Sequence, residues 1–95
     1  MKLSIYSLKN VLFQGNASLL NCQTAAGEIT VLDHHEAMIG VLTAGVIRII
    51  ATLPAGEASL APKGRDEKSK EYFFEIKSGF LEVKPGSEVR CIVEQ

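Results

Sequence analysis

The sequence of 95 residues contains no tryptophan and only two cysteines and two histidines, and its net charge is close to zero. Because 11 acidic residues balance 10 basic ones, the chain lacks the positive surface with which nucleic-acid-binding proteins displace counterions. No stretch approaches the roughly 20 apolar residues of a membrane-spanning helix, and no apolar run follows Lys2 as in a signal peptide. These absences predict one soluble intracellular domain, residues 1–95, that binds no nucleic acid.

Catalytic and nucleotide-binding motifs are missing as well. The chain has no G-x-S-x-G segment, no P-loop and no G-x-G-x-x-G segment. Cys22 and Cys91 are isolated at alternating apolar positions, and neither has an evident histidine partner. Their positions favour two buried free thiols, although the sequence leaves a disulfide between them open. We therefore expect no catalytic residue and no cofactor.

Short segments in which apolar and polar residues alternate make up most of the sequence. Val89, Cys91 and Val93 alternate with polar residues, as do Leu81 and Val83, which is typical of half-buried strands. Five glycine-containing segments are predicted to form turns: Gln14-Gly15-Asn16, Ala26-Gly27, Ala44-Gly45, Ser78-Gly79 and Pro85-Gly86-Ser87. Many short strands separated by such turns predict an all-β fold, an antiparallel sandwich or barrel.

Residues 54–70 interrupt this pattern with proline, glycine and charges of both signs. The segment is too long for a hairpin connection, which takes about two to five residues. The sequence predicts a long polar loop here and leaves two interpretations open. One is a solvated insertion, and the other is a docking segment that uses its basic residues, which are Lys63, Arg65, Lys68 and Lys70.

The segment Asp33-His34-His35-Glu36 contains the residue types that bind zinc and iron. Adjacent side chains of a strand point to opposite faces, so His34 and His35 reach one metal only through a tight turn. The chain has no third histidine that could complete a set of ligands. The pattern therefore favours a surface turn or a partner contact over a metal site.

Apolar residues on the outer faces of predicted strands indicate a docking module. Residues 46–50 are nearly all apolar, so a strand there exposes part of its apolar surface unless a partner covers it. Phe73 lies opposite the face formed by Tyr72 and Phe74. Phe73 and Phe80 could stack on single-stranded nucleic acid, but without a basic groove an interface or core position is favoured. Large exposed apolar patches usually mark partner surfaces.

Several segments match, in order along the chain, the pattern of one known family. Residues 27–39, GEITVLDHHEAMI, have its Gly-Glu turn, short apolar strand and histidine loop, and Leu42-Thr43-Ala44-Gly45 has its Leu-x-x-Gly. Residues 78–86 are similar to its Gly-Gly-x-Leu-Glu-Val hairpin, residues 89–94 to its last strand, and residues 3–15 to its opening. Together these segments resemble the epsilon subunits of ATP synthases.

The resemblance implies an antiparallel β-sandwich of about ten strands in two five-stranded sheets. It also implies a non-catalytic rotor subunit in the central stalk of a rotary proton-translocating ATP synthase. Such a subunit lies peripherally at the cytoplasmic face of the bacterial inner membrane. Its partners are the gamma shaft and the membrane c-ring, which it holds together so that proton flow is coupled to ATP synthesis.

The resemblance also implies roles for four residues. Glu28 matches the acidic turn residue that points toward the loops of the c-ring. Ser7, His35 and Met38 match positions that lie toward gamma. In this interpretation the imidazole of His35 packs and forms hydrogen bonds at an interface, rather than binding a metal or acting as a base.

The chain departs from the family pattern in places that bear on these roles. Asp33-His34 stands where Pro-Gly or Pro-Asn is usual, and Glu36-Ala37 replaces Ala-Pro, so the loop is less restricted by proline. The loop at residues 54–70 is longer than the family's hairpin, and Lys77-Ser78-Gly79 has one glycine where two are usual. The sequence ends at Gln95, before the family's helical hairpin, so inhibition by such a hairpin is not expected.

Two other functions stay open on the sequence. One is a small cupin-like, metal-dependent enzyme that uses His34, His35 and Glu36. The other is a free-standing β-sandwich adaptor with a different partner.

Overall fold

The computed structural model describes residues 1–52 and 69–95, which form eight strands and no helix. The strands are β1 (Lys2–Tyr6), β2 (Val11–Thr24), β3 (Gly27–Leu32), β4 (Met38–Leu42), β5 (Gly45–Thr52), β6 (Ser69–Ile76), β7 (Ser78–Lys84) and β8 (Glu88–Glu94). The all-β prediction is confirmed. No helix in the described part of the chain is long and apolar enough to cross a membrane.

The number of strands differs from the prediction, because the described residues form eight strands where about ten were expected. One reason is β2, which continues for 14 residues through the predicted turn at Gln14-Gly15-Asn16. Gly15 is paired with Leu3 of β1 inside this strand, so its backbone hydrogen bonds go to a neighbouring strand rather than into a turn. The predicted loop at residues 54–70 also ends early, since β6 starts at Ser69; residues 54–68 lie outside the described residues.

The long strand β2 belongs to two layers. Its first half pairs with β1, and its second half pairs with β3 and β5, with an irregularity between Ala17 and Leu19 where the partner changes. The first sheet therefore has the order β4-β7-β8-β1-β2, and the second has the order β3-β2-β5-β6. A bridge between Thr24 and Leu42 joins β2 to β4 as well, so the two layers are also connected at that corner.

The sheet is mixed rather than purely antiparallel. β1 and β8 run parallel, with Leu3 beside Val89 and Ile5 beside Cys91. Parallel neighbours need a long connection, and here they are the first and last strands of the chain. Every other strand pair is antiparallel among the described residues.

The alternation predicted from the sequence places one apolar side of each sheet in a shared core. Leu3, Leu81 and Cys91 from the first sheet and Leu20 and Ile49 from the second are fully buried in one cluster. Since sheets that face each other bury alternate residues of every strand, this cluster is the interior of a β-sandwich. It contains no buried polar side chain among the described residues.

Both cysteines are free and lie in this core, as the alternation indicated. Cys22 comes from the second sheet and Cys91 from the first. Burial raises the pKa of the Cys22 thiol to about 11 and that of the Cys91 thiol to about 12, because an ionised thiolate is poorly solvated there. Such thiols behave as small apolar side chains rather than nucleophiles.

Candidate docking surface

The outer face of the first sheet has a continuous row of apolar side chains. Pairing sets the members side by side, one from each of the five strands β4, β7, β8, β1 and β2. We call the apolar row the set formed by Val41, Phe80, Ile92, Tyr6 and Val11. Phe80 at the centre is 60% exposed, and every other member except the half-buried Tyr6 is also exposed.

The apolar row has different surroundings on its two sides. Leu8, which is 92% exposed, follows β1 and lines a shallow cavity of about 260 Å³ together with Val41, Phe80 and Ile92. On the other side of the row the next positions are the exposed Ile39 and, beside it, Glu82, whose carboxylate accepts a hydrogen bond from Arg90 at 2.8 Å. An apolar centre with a polar border is the usual composition of a partner surface.

Close packing between β7 and β8 holds two members of the apolar row in place. A Cβ atom built on Gly79 would lie 2.5 Å from the carbonyl oxygen of Ile92. Real Cβ atoms essentially never come so close, so any larger residue at position 79 would push the two strands apart. The single glycine retained in this hairpin thus keeps Phe80 and Ile92 next to each other.

The outer face of the second sheet is different, because each of its rows contains polar groups. Asn21 donates a hydrogen bond to Thr30 at 2.9 Å, and Arg48 forms an ion pair with Glu71. Phe73 is as exposed as Phe80, at 60% each, but its neighbour on β5 is Arg48. The paired residues Leu32, Leu19 and Ile50 form an apolar stretch across three strands, but of these only Leu32 is exposed, and the row ends at Glu71.

Glu28 and Ser7 lie at the same end of the sandwich. Ser7 directly follows Tyr6, which is in the apolar row together with Val41. The turn before Glu28 reaches this row as well, since the N–H of Ala25 donates to the carbonyl of Val41 at 2.9 Å. The Glu28 carboxylate is exposed and accepts a hydrogen bond from Gln23 at 3.1 Å. The Ser7 hydroxyl instead accepts the N–H of Asn10 at 3.1 Å.

His35 and Met38 lie toward the opposite end. Met38 pairs with Val83, which in turn pairs with Val89, three residues along the strands from the apolar row. Met38 is half-buried and packs against the core. His35 is half-buried, its N–H donates to the carbonyl of Leu32 at 3.2 Å, and its Nδ1 lies 2.8 Å from the carbonyl oxygen of Glu36. The structure thus separates Ser7 from the other two residues assigned to the same interface.

The histidines do not converge on one point. His34 is exposed and its ring Nδ1 lies 3.4 Å from the Ser87 hydroxyl, whereas the His35 ring is engaged by the carbonyl of Glu36. Among residues 1–52 and 69–95, no group of three or more His, Cys, Asp or Glu side chains is arranged to hold a metal ion. The arrangement of His34, His35 and Glu36 gives no support to a metal-dependent enzyme.

The sequence indicated exposed apolar residues on β5 and β6 but not the apolar row. Val46 and Phe73 are exposed as expected. The row was missed because its members come from strands that pair only in the tertiary structure, including the parallel neighbours β1 and β8. The available signal was the single apolar residue on the polar side of β7 and of β8, Phe80 and Ile92.

Comparisons with known proteins agree with this fold. The ATP synthase epsilon chain of Hydrogenovibrio crunogenus is 32% identical over 85 residues, which are 90% of this chain and 48% of that protein. The Tetrahymena thermophila mitochondrial ATP synthase central stalk and c-ring structure has a similar chain, with a TM-score of 0.72 at 15% identity; the match covers all of this chain and 63% of that one. A chain of the Euglena gracilis mitochondrial ATP synthase OSCP/F1/c-ring structure matches with a TM-score of 0.76 at 19% identity, over all of this chain and 51% of that one.

The lengths and the matched regions define what these comparisons cover. This chain spans about half the length of the bacterial relative, 48%. A model of the beta-sandwich domain of the ATP synthase delta/epsilon chain matches residues 1–61, which include β1 to β5 and the histidine loop. The β-sandwich fold and the bacterial relative agree with this match. The chain therefore belongs to the ATP synthase delta/epsilon chain family.

Proposed function

We propose that this chain is a central-stalk subunit of a rotary ATP synthase, which fastens the gamma shaft to the membrane c-ring and carries no catalytic site of its own. In this role it transmits torque between the two, so that proton flow through the ring is coupled to ATP synthesis. The complex places the chain peripherally at the membrane, on the cytoplasmic face of a bacterial inner membrane. Membership of the family supports the class of subunit, and the apolar row supports the docking role.

The apolar row is the observation that carries this proposal. Four of its five members are exposed in the isolated chain, so a water-covered apolar surface crosses the whole first sheet. Covering apolar area stabilises an assembly by about 25 cal/mol per Å² before the cost of association is subtracted. Large aromatic side chains at the centre of such a patch commonly contribute most of the binding free energy. We therefore assign the gamma contact to the apolar row, with Phe80 at its centre.

The four residues assigned from the family resemblance are proposed to extend this interface in two directions. Ser7 lies beside Leu8 on one side of the apolar row, so it can contact the same partner. His35 and Met38 lie beyond the other side of the row, next to the exposed Ile39. Gamma must then extend along β4 to reach both groups.

Glu28 is proposed to contact the polar loops of the c-ring. Its carboxylate lies at the β2–β3 turn, and the turn is exposed from Ala25 to Glu28. The hydrogen bond from Gln23 orients the carboxylate without neutralising it. An exposed and oriented negative charge suits a contact with basic or polar loops, and it affects specificity and association rate more than affinity.

A pair of phenylalanine variants tests the gamma contact. Phe80→Ser and Phe73→Ser remove side chains of equal exposure from the two outer faces. We expect Phe80→Ser to weaken binding to purified gamma by at least about 30-fold, the loss that corresponds to about 2 kcal/mol at a central interface residue. Phe73→Ser should change it less than threefold. Equal effects of the two variants, or binding to other proteins in preference to gamma, would favour the adaptor instead.

A charge reversal tests the c-ring contact. Glu28→Lys should lower the ratio of ATP made to protons moved in vesicles that contain the reconstituted complex, while the isolated domain stays folded. Glu88→Lys is the matched control, because Glu88 is an exposed acidic residue at the opposite end of the sandwich. An unchanged ratio in the Glu28→Lys complex would remove Glu28 from the c-ring interface.

A further inference from the structure

Two residues other than glycine have a left-handed backbone in the described part of the chain, and they contact each other. His34 has φ of 65° in the connection from β3 to β4, and Ser87 has φ of 59° in the turn from β7 to β8. The N–H of His34 donates a hydrogen bond to the Ser87 hydroxyl at 3.0 Å. Left-handed backbone costs an ordinary residue on the order of 1 kcal/mol, so both conformations need support from their surroundings.

Ser87 connects the histidine loop to the rest of the first sheet. Its hydroxyl lies within 3.4 Å of the His34 ring as well as accepting the N–H, and its carbonyl accepts the N–H of Lys2 at 2.8 Å. One residue of the β7–β8 turn thus holds both the start of β1 and the loop at residues 33–37. The loop and Ser87 are 53 residues apart in sequence.

A second contact holds the same end of this loop, at the residue before His34. The Asp33 carboxylate forms an ion pair with the amino group of Met1, which also donates to the carbonyl of Ala17 at 2.7 Å. The hydrogen bond and the charge of that amino group lower the pKa of Asp33 below its usual value. His35 itself has only local partners among the described residues, the carbonyl groups of Leu32 and Glu36.

We propose that Ser87 is a positioning residue for His35, doing through its hydroxyl what proline does in the usual family loop. This chain has Asp33-His34 and Glu36-Ala37 where the family pattern has prolines, so the backbone of residues 33–37 is not restricted from within. Ser87 and Asp33 restrict it from outside. A loop ordered before binding loses less conformational entropy when a partner binds, so the contact strengthens the proposed docking of His35. Only the docking of His35 on a partner rests on the proposed function.

Two substitutions at one position separate the hydroxyl from the shape of the turn. Ser87→Ala removes the hydroxyl and keeps an L-residue at a left-handed position. Ser87→Gly removes the hydroxyl too, but it relieves the backbone, since glycine adopts positive φ readily. If Ser87 merely stabilises its own turn, Ser87→Gly should protect the loop as well as the wild type does. If the hydroxyl positions the loop, both variants should loosen it.

The measurement is amide hydrogen exchange at His34 and His35 in the isolated chain, at fixed pH. We expect exchange to become roughly fivefold faster in both variants, the factor for losing one hydrogen bond of ordinary net strength. Thr24→Ala is the control, because its hydroxyl also donates to a backbone carbonyl, that of Gly27 at 2.7 Å, but at the opposite end of β3 from the loop. That variant should leave the exchange of His34 and His35 unchanged.

Binding to gamma completes the test. We expect both Ser87 variants to bind gamma a few-fold more weakly than the wild type does. Unchanged exchange at residues 33–37 in Ser87→Gly overturns the inference, and so does faster exchange with unaltered gamma affinity. Failure of the proposed function gives a different result: the wild-type chain itself then does not bind gamma, whatever the exchange at the loop.

Discussion

The two outer faces of this sandwich differ in how many large apolar side chains they expose and in how these are arranged. Among the described residues, five lie on the first sheet and three on the second. On the first sheet, pairing aligns Val41, Phe80 and Ile92 in the apolar row. On the second sheet, Phe73 lies beside Arg48, and Val46 lies beside Glu75. Alignment separates the faces further than number does, because a partner can cover a continuous row without desolvating charged groups.

The largest effect is expected on the free energy of unfolding, and it distinguishes the inner face of the first sheet from its outer face. Leu81 and Phe80 are neighbours on β7, but Leu81 is fully buried and Phe80 is exposed. We expect Leu81→Ala to lower the free energy of unfolding by about 2–5 kcal/mol, through lost burial and the cavity left behind. Phe80→Ala should change it by about 0.5 kcal/mol or less. Urea denaturation of both variants checks this, and a comparable loss in Phe80→Ala would mean that the row belongs to the core.

The second effect concerns binding and compares the faces directly. Ile92 and Val46 are 48% and 47% exposed, on the first and the second sheet respectively. A lysine in the middle of the apolar row must be desolvated when gamma covers it, so Ile92→Lys should weaken binding by at least about 30-fold. Val46→Lys should bind as the wild type does. Calorimetric titration with gamma measures both, and a stronger effect of Val46→Lys would move the interface to the second sheet.

A third prediction concerns the core that both faces share, and it uses the pH dependence of stability that the two cysteines cause. The pKa values of Cys22 and Cys91 are raised from 9.0 to about 11 and about 12 in the folded state. The unfolded chain therefore loses its thiol protons first, so stability is unaffected below pH 9 and falls as pH rises toward 11 and 12. Unfolding measured between pH 8 and 10 should show this fall. It should be smaller in the Cys22→Ala, Cys91→Ala double variant when each is compared with its own value at pH 8.

The same two thiols report opening of each sheet separately. Cys22 lies in the second sheet and Cys91 in the first, and both are fully buried. If both sheets open together, the two thiols should react with a maleimide at the same slow rate in single-cysteine variants. Faster reaction of one thiol would show that its sheet opens independently.

The smallest effects should come from the exposed ion pairs, one on each outer face. Arg48 pairs with Glu71 on the second sheet, and Arg90 pairs with Glu82 on the first. Both pairs are well solvated, so we expect Glu71→Gln and Glu82→Gln each to lower stability by about 1 kcal/mol or less. Denaturation at low and high salt checks this. A loss in either variant that exceeds about 2 kcal/mol and does not depend on salt would contradict a surface role.

The predicted site residues show where sequence reasoning stopped. The family resemblance assigned Ser7, His35 and Met38 to one interface, and the structure places Ser7 at the opposite end of the sheet from the other two. Nothing local to either segment reveals this separation, because it depends on which strands become neighbours. The roles of these residues and of Glu28 remain predictions.

The sequence by itself determined the two-residue period of the apolar side chains, the all-β fold class and the family resemblance. Alternating apolar residues identified strands around Leu81 and Cys91 because the period of two is a property of any strand. The succession of short segments carries the resemblance to ATP synthase epsilon subunits. It also favoured a buried position for both cysteines.

Only the tertiary structure decided which of these strands pair with each other. In the structure β2 continues through the expected turn at Gly15, because the backbone groups there form hydrogen bonds with β1. The tertiary structure placed the first and last strands side by side, and so joined Tyr6 to Ile92 in the apolar row. It also brought Ser87 to the histidine loop. Such choices depend on hydrogen bonds between residues far apart in the chain, and no local pattern encodes those partners.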